Sequence, residues 1–501
     1  MNGATVSPRA AQPPLILALD IGSSSTRAVL YDSQARAVAG LDAQAPNSFQ
    51  TAGDGQAEAD PAALFATAAA CIDAVLAQAG DLAAAIAAVA VDTFVGNLLP
   101  LGADAAPLAP LITYADTRND ADAAALRRAL DEHAVHAHTG CLLRTSYWPA
   151  RLAWLRRTQP GLWRRVARWG TLGEYLELLL FGRARVSYSA ASWNGLLDRR
   201  RLAWDAPLLA YLEVDAAQLA PLVDIDAPLA GLREPYASRW PALRDVPWLP
   251  AVGDGAAANI GSGCTGHDRI ALTLGTTGAL RVVQPASDQP PPPGLWCYRV
   301  DRDHALLGGA TSEGGNVYAW MSAALRLDAP AAVEAALAAL PPDGHGLTVL
   351  PFLAGERSPD WAGNVQATIH GLTLSTTPIE ILRAGLEAVA YRFALIEERI
   401  CGRPGCTHRL IASGGALPRS PVWSQIFADV LGRAVALSAE PEATSRGSAL
   451  LALHVLGHLP SLADAPAADG AVYTPDPARH AIYRAAIARQ RDLYARVIGR
   501  E

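Results

Sequence analysis

One short pattern occurs twice, half a chain apart. Ala18-Leu19-Asp20-Ile21-Gly22-Ser23-Ser24 aligns with Ala271-Leu272-Thr273-Leu274-Gly275-Thr276-Thr277 at an offset of 253 in a chain of 501 residues. In the first copy the apolar run Leu15–Leu19 ends at Asp20, a turn of Gly22 and serines follows, and Ala28–Tyr31 is apolar again. An apolar run, a small-residue turn and a second apolar run make a β-hairpin. A repeat at half length predicts two similar domains facing each other.

Strand and helix patterns alternate around these copies, which predicts α/β layers. Residues 1–14 read as a loose tail. Pro61–Ala79 is Ala-rich with helical spacing, and Gly80 is a natural stop. Ala87–Val91 reads as a strand, and Ala121–Glu132 and Ala150–Arg157 as helices. Pro378–Ile400 and Pro477–Val497 are expected to be long helices. The stretch from Glu234 to Leu249 carries three Pro and three large aromatics, so the domain junction is placed near 245. The expected division is 1–14, 15–245 and 246–501.

The chain contains no Lys; all 41 basic residues are Arg. That excludes a Walker P-loop, a protein kinase and Schiff-base or PLP chemistry, each of which needs a lysine. Any phosphate is then handled by backbone amides, hydroxyls, Arg and metal. A net charge of −7 argues against a broad nucleic-acid surface. The six Cys are scattered without a CxxC pair, as reduced cytosolic thiols would be; Cys401 and Cys406 form a C-x4-C pair. The longest plain apolar stretch, Leu82–Val91, is 10 residues, too short to span a bilayer. The N-terminus shows no apolar signal core, so a cytoplasmic location without membrane contact is expected.

Several residues carry chemistry. Gly22, Ser23 and Ser24 offer free N–H groups to a phosphate, and a hydroxyl and Arg27 complete an anion site. Asp20, at a strand end, suits Mg2+ held through water. Gly275, Thr276 and Thr277 repeat that tip. Two opposed hairpins can grip a polyphosphate between domains, although each alone is also an ordinary turn. Asp254, between Gly253 and Gly255, reads as an exposed turn whose carboxylate accepts a proton from an attacking alcohol; a plain helix cap is the alternative. Gly414, Gly415 and Ala416 join a strand at Arg409–Ala412 to a helix at Pro421–Leu431, a way to admit a nucleotide beside backbone. His133, His136, His138 and Cys141 fit a loop after a helix better than a metal site. Some of the 12 Trp suit a sugar site, since sugar C–H faces stack on indole.

Taken in order, these segments resemble the FGGY carbohydrate kinases, members of the actin-like ATPase superfamily that include glycerol kinase, xylulokinase, ribulokinase and one type of gluconokinase. ALDIGSSSTRAVLYD resembles the family's first phosphate hairpin, and LTLGTTG the second. GQAEADP (55–61), ITYADTR (112–118), VGDGAAANIGSG (252–263), LPFLAGERSPDW (350–361), ATIHGLTLSTTPIEILRAGLE (367–387) and ASGGALPRSPVWSQIFADVLG resemble further family segments. The resemblance implies two actin-like (ribonuclease H-like) α/β domains with an interdomain catalytic cleft. ATP lies in it, with Mg2+ near Asp20 and Asp254, and Asp254 acts as base. The hairpin tips, Arg27, Gly315 and Gly414–Ala416 serve the nucleotide. Asn97, Asp116 and Tyr147 are the expected substrate contacts, and a homodimer is one possible assembly.

The chain departs from the family in two places. Val95-Gly96 stands where members place a large polar or aromatic pair that touches the sugar, and Arg151 stands where the first signature has Lys. Arg144 and Arg118 are candidates to pair with a substrate carboxylate. The resemblance is to the gluconokinase-type branch, so gluconate is the first expectation. Pentuloses come second, and a nucleotide- or sugar-sensing protein on the same fold is the reading from another class.

Overall fold

The computed structural model describes residues 5–266, 268–402, 407–465 and 467–499, so Cys406 and the first four residues lie outside the description. Two open sheets organise the molecule. The N-terminal sheet contains β1 (Thr5–Val6), β2 (Leu15–Ile21), β3 (Ser25–Tyr31), β4 (Ala37–Pro46), β5 (Ile86–Thr93) and β6 (Val252–Gly253), in the order β1-β4-β3-β2-β5-β6. The C-terminal sheet contains β7 (Arg269–Leu274), β8 (Gly278–Pro285), β9 (Trp296–Arg299), β10 (His304–Thr311), β11 (Arg409–Ser413), β12 (Val435–Ser438) and β13 (Asp469–Tyr473), in the order β9-β10-β8-β7-β11-β12-β13.

The two plans coincide. β4-β3-β2 is an antiparallel meander with β5 and then β6 added in parallel. β10-β8-β7 is the same meander with β11 and then β12 added in parallel. The half-length repeat is therefore a repeat of topology as well as of sequence.

Helix α1 (Pro61–Ala79) covers one face of the first sheet. Asp60 caps it by accepting the Ala62 N–H at 2.9 Å, Pro61 sits at its first position, and Gly80 ends it. Leu64, Ala68, Ile72 and Val75 recur at helical spacing and are buried in the sheet's core. With the turn that follows to Ala85, this is the one described helix long and apolar enough to cross a membrane, and here its apolar face is spent on β3 and β4.

The other face of the first sheet is covered from far along the chain. Helix α2 (Asp254–Gly261) packs with helix α6 (Ala443–Val455), and α6 lies on β2 and β5. A Cβ on Gly261 would stand 1.7 Å from the Ala443 carbonyl oxygen, and one on Gly447 1.8 Å from that of Ala257. These glycines are needed because the two helix backbones touch. Helices α4 (Pro378–Cys401) and α5 (Pro421–Leu431) pack on the second sheet around Leu272, Leu280, Phe393 and Phe427. Helix α7 (Pro477–Val497) closes the chain with the bounds expected, and α3 (Gly315–Ala324) follows β10.

Four expectations change. Residues 5–14 are not a loose tail: Thr5–Val6 pairs in parallel with Ala37–Val38, Val6 is buried, and Ser33 N–H donates to Gln12 O at 2.8 Å. The junction is not at 245, because Val252–Gly253 pairs with Asp92–Thr93 and completes the first sheet. The helix expected over 121–132 stops at Ala129, where Asp131 caps a new helix, Glu132–Thr139. The His133–His138 segment is therefore helix rather than loop, and His136 Nε2 meets Leu295 O at 2.7 Å. Among the described cysteines no disulfide is formed.

Candidate active site

Strands β2, β5 and β6 run parallel toward one edge of the first sheet, and each carries or leads into an acid there. Asp20 on β2 and Asp92 on β5 are register partners, and β6 leads directly into Asp254 at the first position of α2. Ligands of open α/β sheets gather outside such carboxyl ends. Asp254 Oδ1 accepts the Gly255 N–H at 2.7 Å. Burial first, then the charge of Asp20, pushes its carboxyl up to about 7, while the Gly255 N–H and Arg281 pull it back. Asp20 is raised by burial against the pull of Asp92 and Arg27. Asp92 is raised well above the ordinary range by burial and then by Asp20. Its Oδ2 accepts from Ser448 Oγ at 2.6 Å, while its Oδ1 is buried without a partner. A set of hard oxygens that repel one another, one of them orphaned, fits a divalent cation such as Mg2+.

Asp254 lines a cleft of about 770 Å3 walled by both halves, while Asp20 and Asp92 are buried and do not form its wall. Of the expected site residues, Arg27, Tyr147, Asp254, Thr277, Gly414 and Gly415 line it. Gly22–Ser24, Gly275, Thr276 and Ala416 adjoin these in the chain without forming its wall. The first tip is closed by Gly22 N–H to Ser25 O at 3.0 Å and braced by Asn47, whose Nδ2 donates to Gly22 O at 2.7 Å. The second is closed by Gly275 N–H to Thr277 O at 3.0 Å. Its brace is the start of α3: Gly315 N–H donates to Gly275 O at 2.7 Å, and Asn316 N–H to Thr276 O at 3.1 Å. Gly315, expected at the nucleotide, spends its N–H on holding that turn. Gly414 has φ +88°, and a Cβ there would lie 2.5 Å from Leu274 O, so only glycine fits.

The halves meet across this cleft. Arg27, the cross-strand neighbour of Asp20, forms an ion pair with Glu442. Tyr147 and Tyr298 hydroxyls meet at 2.6 Å, and the Arg299 N–H donates to Ser192 Oγ at 2.9 Å.

The glycines around Asp254 make no exposed turn, contrary to expectation. Gly253 lies in extended backbone at φ −73° and both glycines are buried. A Cβ on Gly253 would lie 2.6 Å from Trp193 Nε1, and one on Gly255 2.9 Å from Arg281 Nη1 and 3.0 Å from the Trp193 ring. They are small because Trp193 packs over them. Trp193 stacks on Tyr298 at 3.7 Å, and Tyr298 on Trp296 at 4.6 Å, giving an aromatic wall. Val95 and Gly96 line the same cleft, and Val95 Cγ1, 2.8 Å from where a Gly253 Cβ would stand, lies beside Trp193. Gly96 has φ +66°, and a Cβ would stand 3.1 Å from Ser146 O, so a large residue is not accommodated there.

Two expected substrate contacts lie elsewhere. Asn97 is buried with its side chain satisfied: Nδ2 donates to Phe94 O at 2.5 Å and Oδ1 accepts the Leu172 N–H at 2.8 Å. Asp116 is buried and accepts from Ala57 N–H at 3.0 Å and from the Arg118 guanidinium at 2.6 Å. Arg118 also pairs with Glu58, and Arg144 with Glu132. Neither arginine is left for a substrate carboxylate. Arg151 is fully buried and donates to Gly96 O; burial pushes it down to about 9 against the pull of Asp116. It holds the backbone of the Val95-Gly96 departure.

Asp92, Arg281, Trp193, Tyr298 and Arg357 were missed. A signal existed for Asp92: the apolar run Ile86–Val91 ends in Asp just as Leu15–Leu19 does. The others reach the cleft only through tertiary contacts.

Residues 15–261 match the family model described as the FGGY family of carbohydrate kinases, N-terminal domain, and residues 270–456 match its C-terminal domain. A gluconokinase from Bacillus licheniformis is 26% identical over 463 residues, covering 89% of this chain and 88% of that protein. The structure of a xylulose kinase from Lactobacillus acidophilus superposes with a TM-score of 0.88 at 25% identity, covering 97% of this chain and 98% of that one. A gluconate kinase from the same organism superposes with a TM-score of 0.88 at 25% identity, covering 96% and 98%.

Proposed function

The chain belongs to the FGGY family of carbohydrate kinases, and from that premise we propose that it transfers the terminal phosphoryl group of ATP to a hydroxyl of a small sugar acid, gluconate before others, with Asp254 as general base. The observation that carries this reading is Asp254 itself. It stands in the wall of a cleft lined by both halves, with a carboxyl held near neutrality, where a base works best.

The acceptor oxygen attacks the γ-phosphorus and its proton passes to the Asp254 carboxylate. A P–O bond to the acceptor forms as the bond to the ADP oxygen breaks. Asp20 and Asp254 would hold Mg2+, which neutralises phosphate charge when bound. Gly414 and Gly415 admit the nucleotide against backbone. The tips and Arg27 bind the phosphates, an arrangement that needs no lysine. Closure of the halves on bound substrates would exclude water from the reacting atoms and favour transfer over hydrolysis.

The test is ATP consumption by purified protein with sugars, polyols and sugar acids, alone and one at a time. Stimulation by a sugar acid, reduced about 1,000-fold or more in Asp254→Asn with ADP binding retained, is the expected result. The equal likeness to a xylulose kinase makes pentuloses the second acceptors in that panel. ATP binding without stimulated turnover by any compound would instead mean a sensor, a reading motivated by Val95-Gly96.

A further inference from the structure

We infer that Trp193 is the specificity-determining residue of the acceptor site: its indole is the platform for the acceptor's carbon chain, and it occupies the space that a large side chain at position 95 would need. This rests on the kinase reading above and assigns the surface on which the acceptor lies.

The position of the ring is set by the base. A hydroxyl that reaches the Asp254 carboxylate brings its own carbon chain beside the turn Gly253-Asp254-Gly255. Trp193 covers that turn on both sides of the acid. Its Nε1 is 2.6 Å and its Cδ1 3.1 Å from where a Gly253 Cβ would stand, and its Cη2 and Cζ2 are 3.0 and 3.2 Å from the corresponding point on Gly255. The same residue lines the cleft together with Asp254.

The ring also has the right surface. Tyr147, Trp296 and Tyr298 line the cleft but are buried, and the two phenols are spent on each other. Trp193 is only half-buried, so it carries the open surface of this wall. Tyr114 is exposed too, but it stands by Gly96, its Cβ 3.4 Å from where a Cβ on that glycine would be. The Nε1 edge of Trp193 is turned onto Gly253, and among the described residues that N–H has no acceptor. The indole therefore gives the cleft carbon surface rather than a hydrogen bond, which suits the C–H face of a polyhydroxy chain.

Trp193 and Val95 compete for one space. Val95 Cγ1 lies 2.8 Å from the same Gly253 Cβ point that Trp193 Nε1 approaches to 2.6 Å. Interiors packed this closely leave no room for added atoms, so a larger residue at 95 has to displace the indole. The segment that carries Trp193 is tied to both halves. Ser189 Oγ accepts the Gly253 N–H at 3.2 Å, and Ser192 Oγ accepts the Arg299 N–H at 2.9 Å. Asn194 O accepts the Trp148 N–H at 2.8 Å, and the ring itself stacks on Tyr298. A ring held in this way is ordered before the acceptor arrives.

The experiment measures initial rates of the wild type, Trp193→Ala, Trp193→Phe, Val95→Phe and the double variant Val95→Phe/Trp193→Ala with D-gluconate, D-xylonate, D-xylulose and glycerol. Thermal melts with and without ADP run alongside. Trp193→Ala is expected to raise KM for the best acceptor about 10- to 30-fold with a much smaller change in kcat, the pattern of lost ground-state binding, and Trp193→Phe to recover most of it. Val95→Phe should raise that KM in the wild type, where it displaces the indole, and lower it about threefold or more in Trp193→Ala, where the space is open. An unchanged KM in Trp193→Ala, or a fall in kcat alone, would overturn the platform while leaving the kinase reading intact. Val95→Phe effects of one sign in both backgrounds would overturn the shared space. Loss of ADP stabilisation in both Trp193 variants would assign the indole to the fold and also overturn the platform. Wild-type protein that turns over no acceptor would overturn the kinase reading and the platform with it.

Discussion

The two sheets place different side chains at the same address. Asp20 and Asp92 are register partners on β2 and β5. In the second sheet the corresponding partners on β7 and β11 are Thr273 and Ser413, whose hydroxyl oxygens stand 3.1 Å apart. Thr273 is the residue that the 253-residue offset aligns with Asp20. One half therefore presents two acids and the other two hydroxyls, on one topology. The lesson is that fold and chemistry separate here: the sheet supplies the address, and the side chain at it decides whether that half presents acids or neutral hydroxyls.

Replacing the acid of the first sheet by the hydroxyl of the second attacks this contrast most directly. Asp20→Thr should lower turnover about 100-fold, the size of losing one electrostatic partner of the reacting groups. It also removes the like charge that is the second cause of Asp254's shift. The acid limb of kcat/KM, expected near pH 7 in the wild type, should then move to lower pH. A limb that stays in place would mean that Asp20 does not act on Asp254.

A smaller effect concerns stability. Burial holds Asp254 at about 7 in the fold, above its ordinary value. The native state thus binds more protons than the unfolded chain between those values. This group's contribution to stability is fully present below the unfolded pKa and is lost as pH rises through about 7. In EDTA at pH 8, Asp254→Asn should be more stable than the wild type by about 1–2 kcal/mol, with the gap shrinking toward pH 5. Denaturant melts across that range would check this, and Asp→Asn has no such site to relieve in the second sheet.

The smallest effect compares the tips. A Cβ on Gly22 would stand 3.1 Å from Ser25 O, whereas the nearest atom to one on Gly275 is at 4.0 Å. Gly22→Ala should cost about 1 kcal/mol and Gly275→Ala less than about 0.5 kcal/mol, measured by denaturant melts. Equal costs would mean that the two turns are braced alike, despite Asn47 behind one and α3 behind the other.

Legibility followed the range of the forces involved. The hairpins, the ends of α1 and α7 and the strand before Gly414 were readable because caps, prolines and apolar periodicity act within a few residues. The junction was misplaced because a two-residue strand, Val252–Gly253, is recognised only by its pairing with β5. Asn97 and Asp116 looked like substrate contacts because polar residues in a conspicuous segment invite that reading. Leu172, Ala57 and Arg118 already satisfy them. Arg144 and Arg118 were the arginines considered for a carboxylate, and both are spent on glutamates from other parts of the chain.

From its own letters, then, the chain settled that it would build two like halves, with turns of small residues at matching places and phosphate chemistry done without lysine. Those are properties of local backbone preference and of residue inventory. Which acids stand together and why glycines flank Asp254 were decided only when strands far apart in the chain took their register. Charge and shape at a cleft are sums over neighbours, and neighbours exist only in three dimensions.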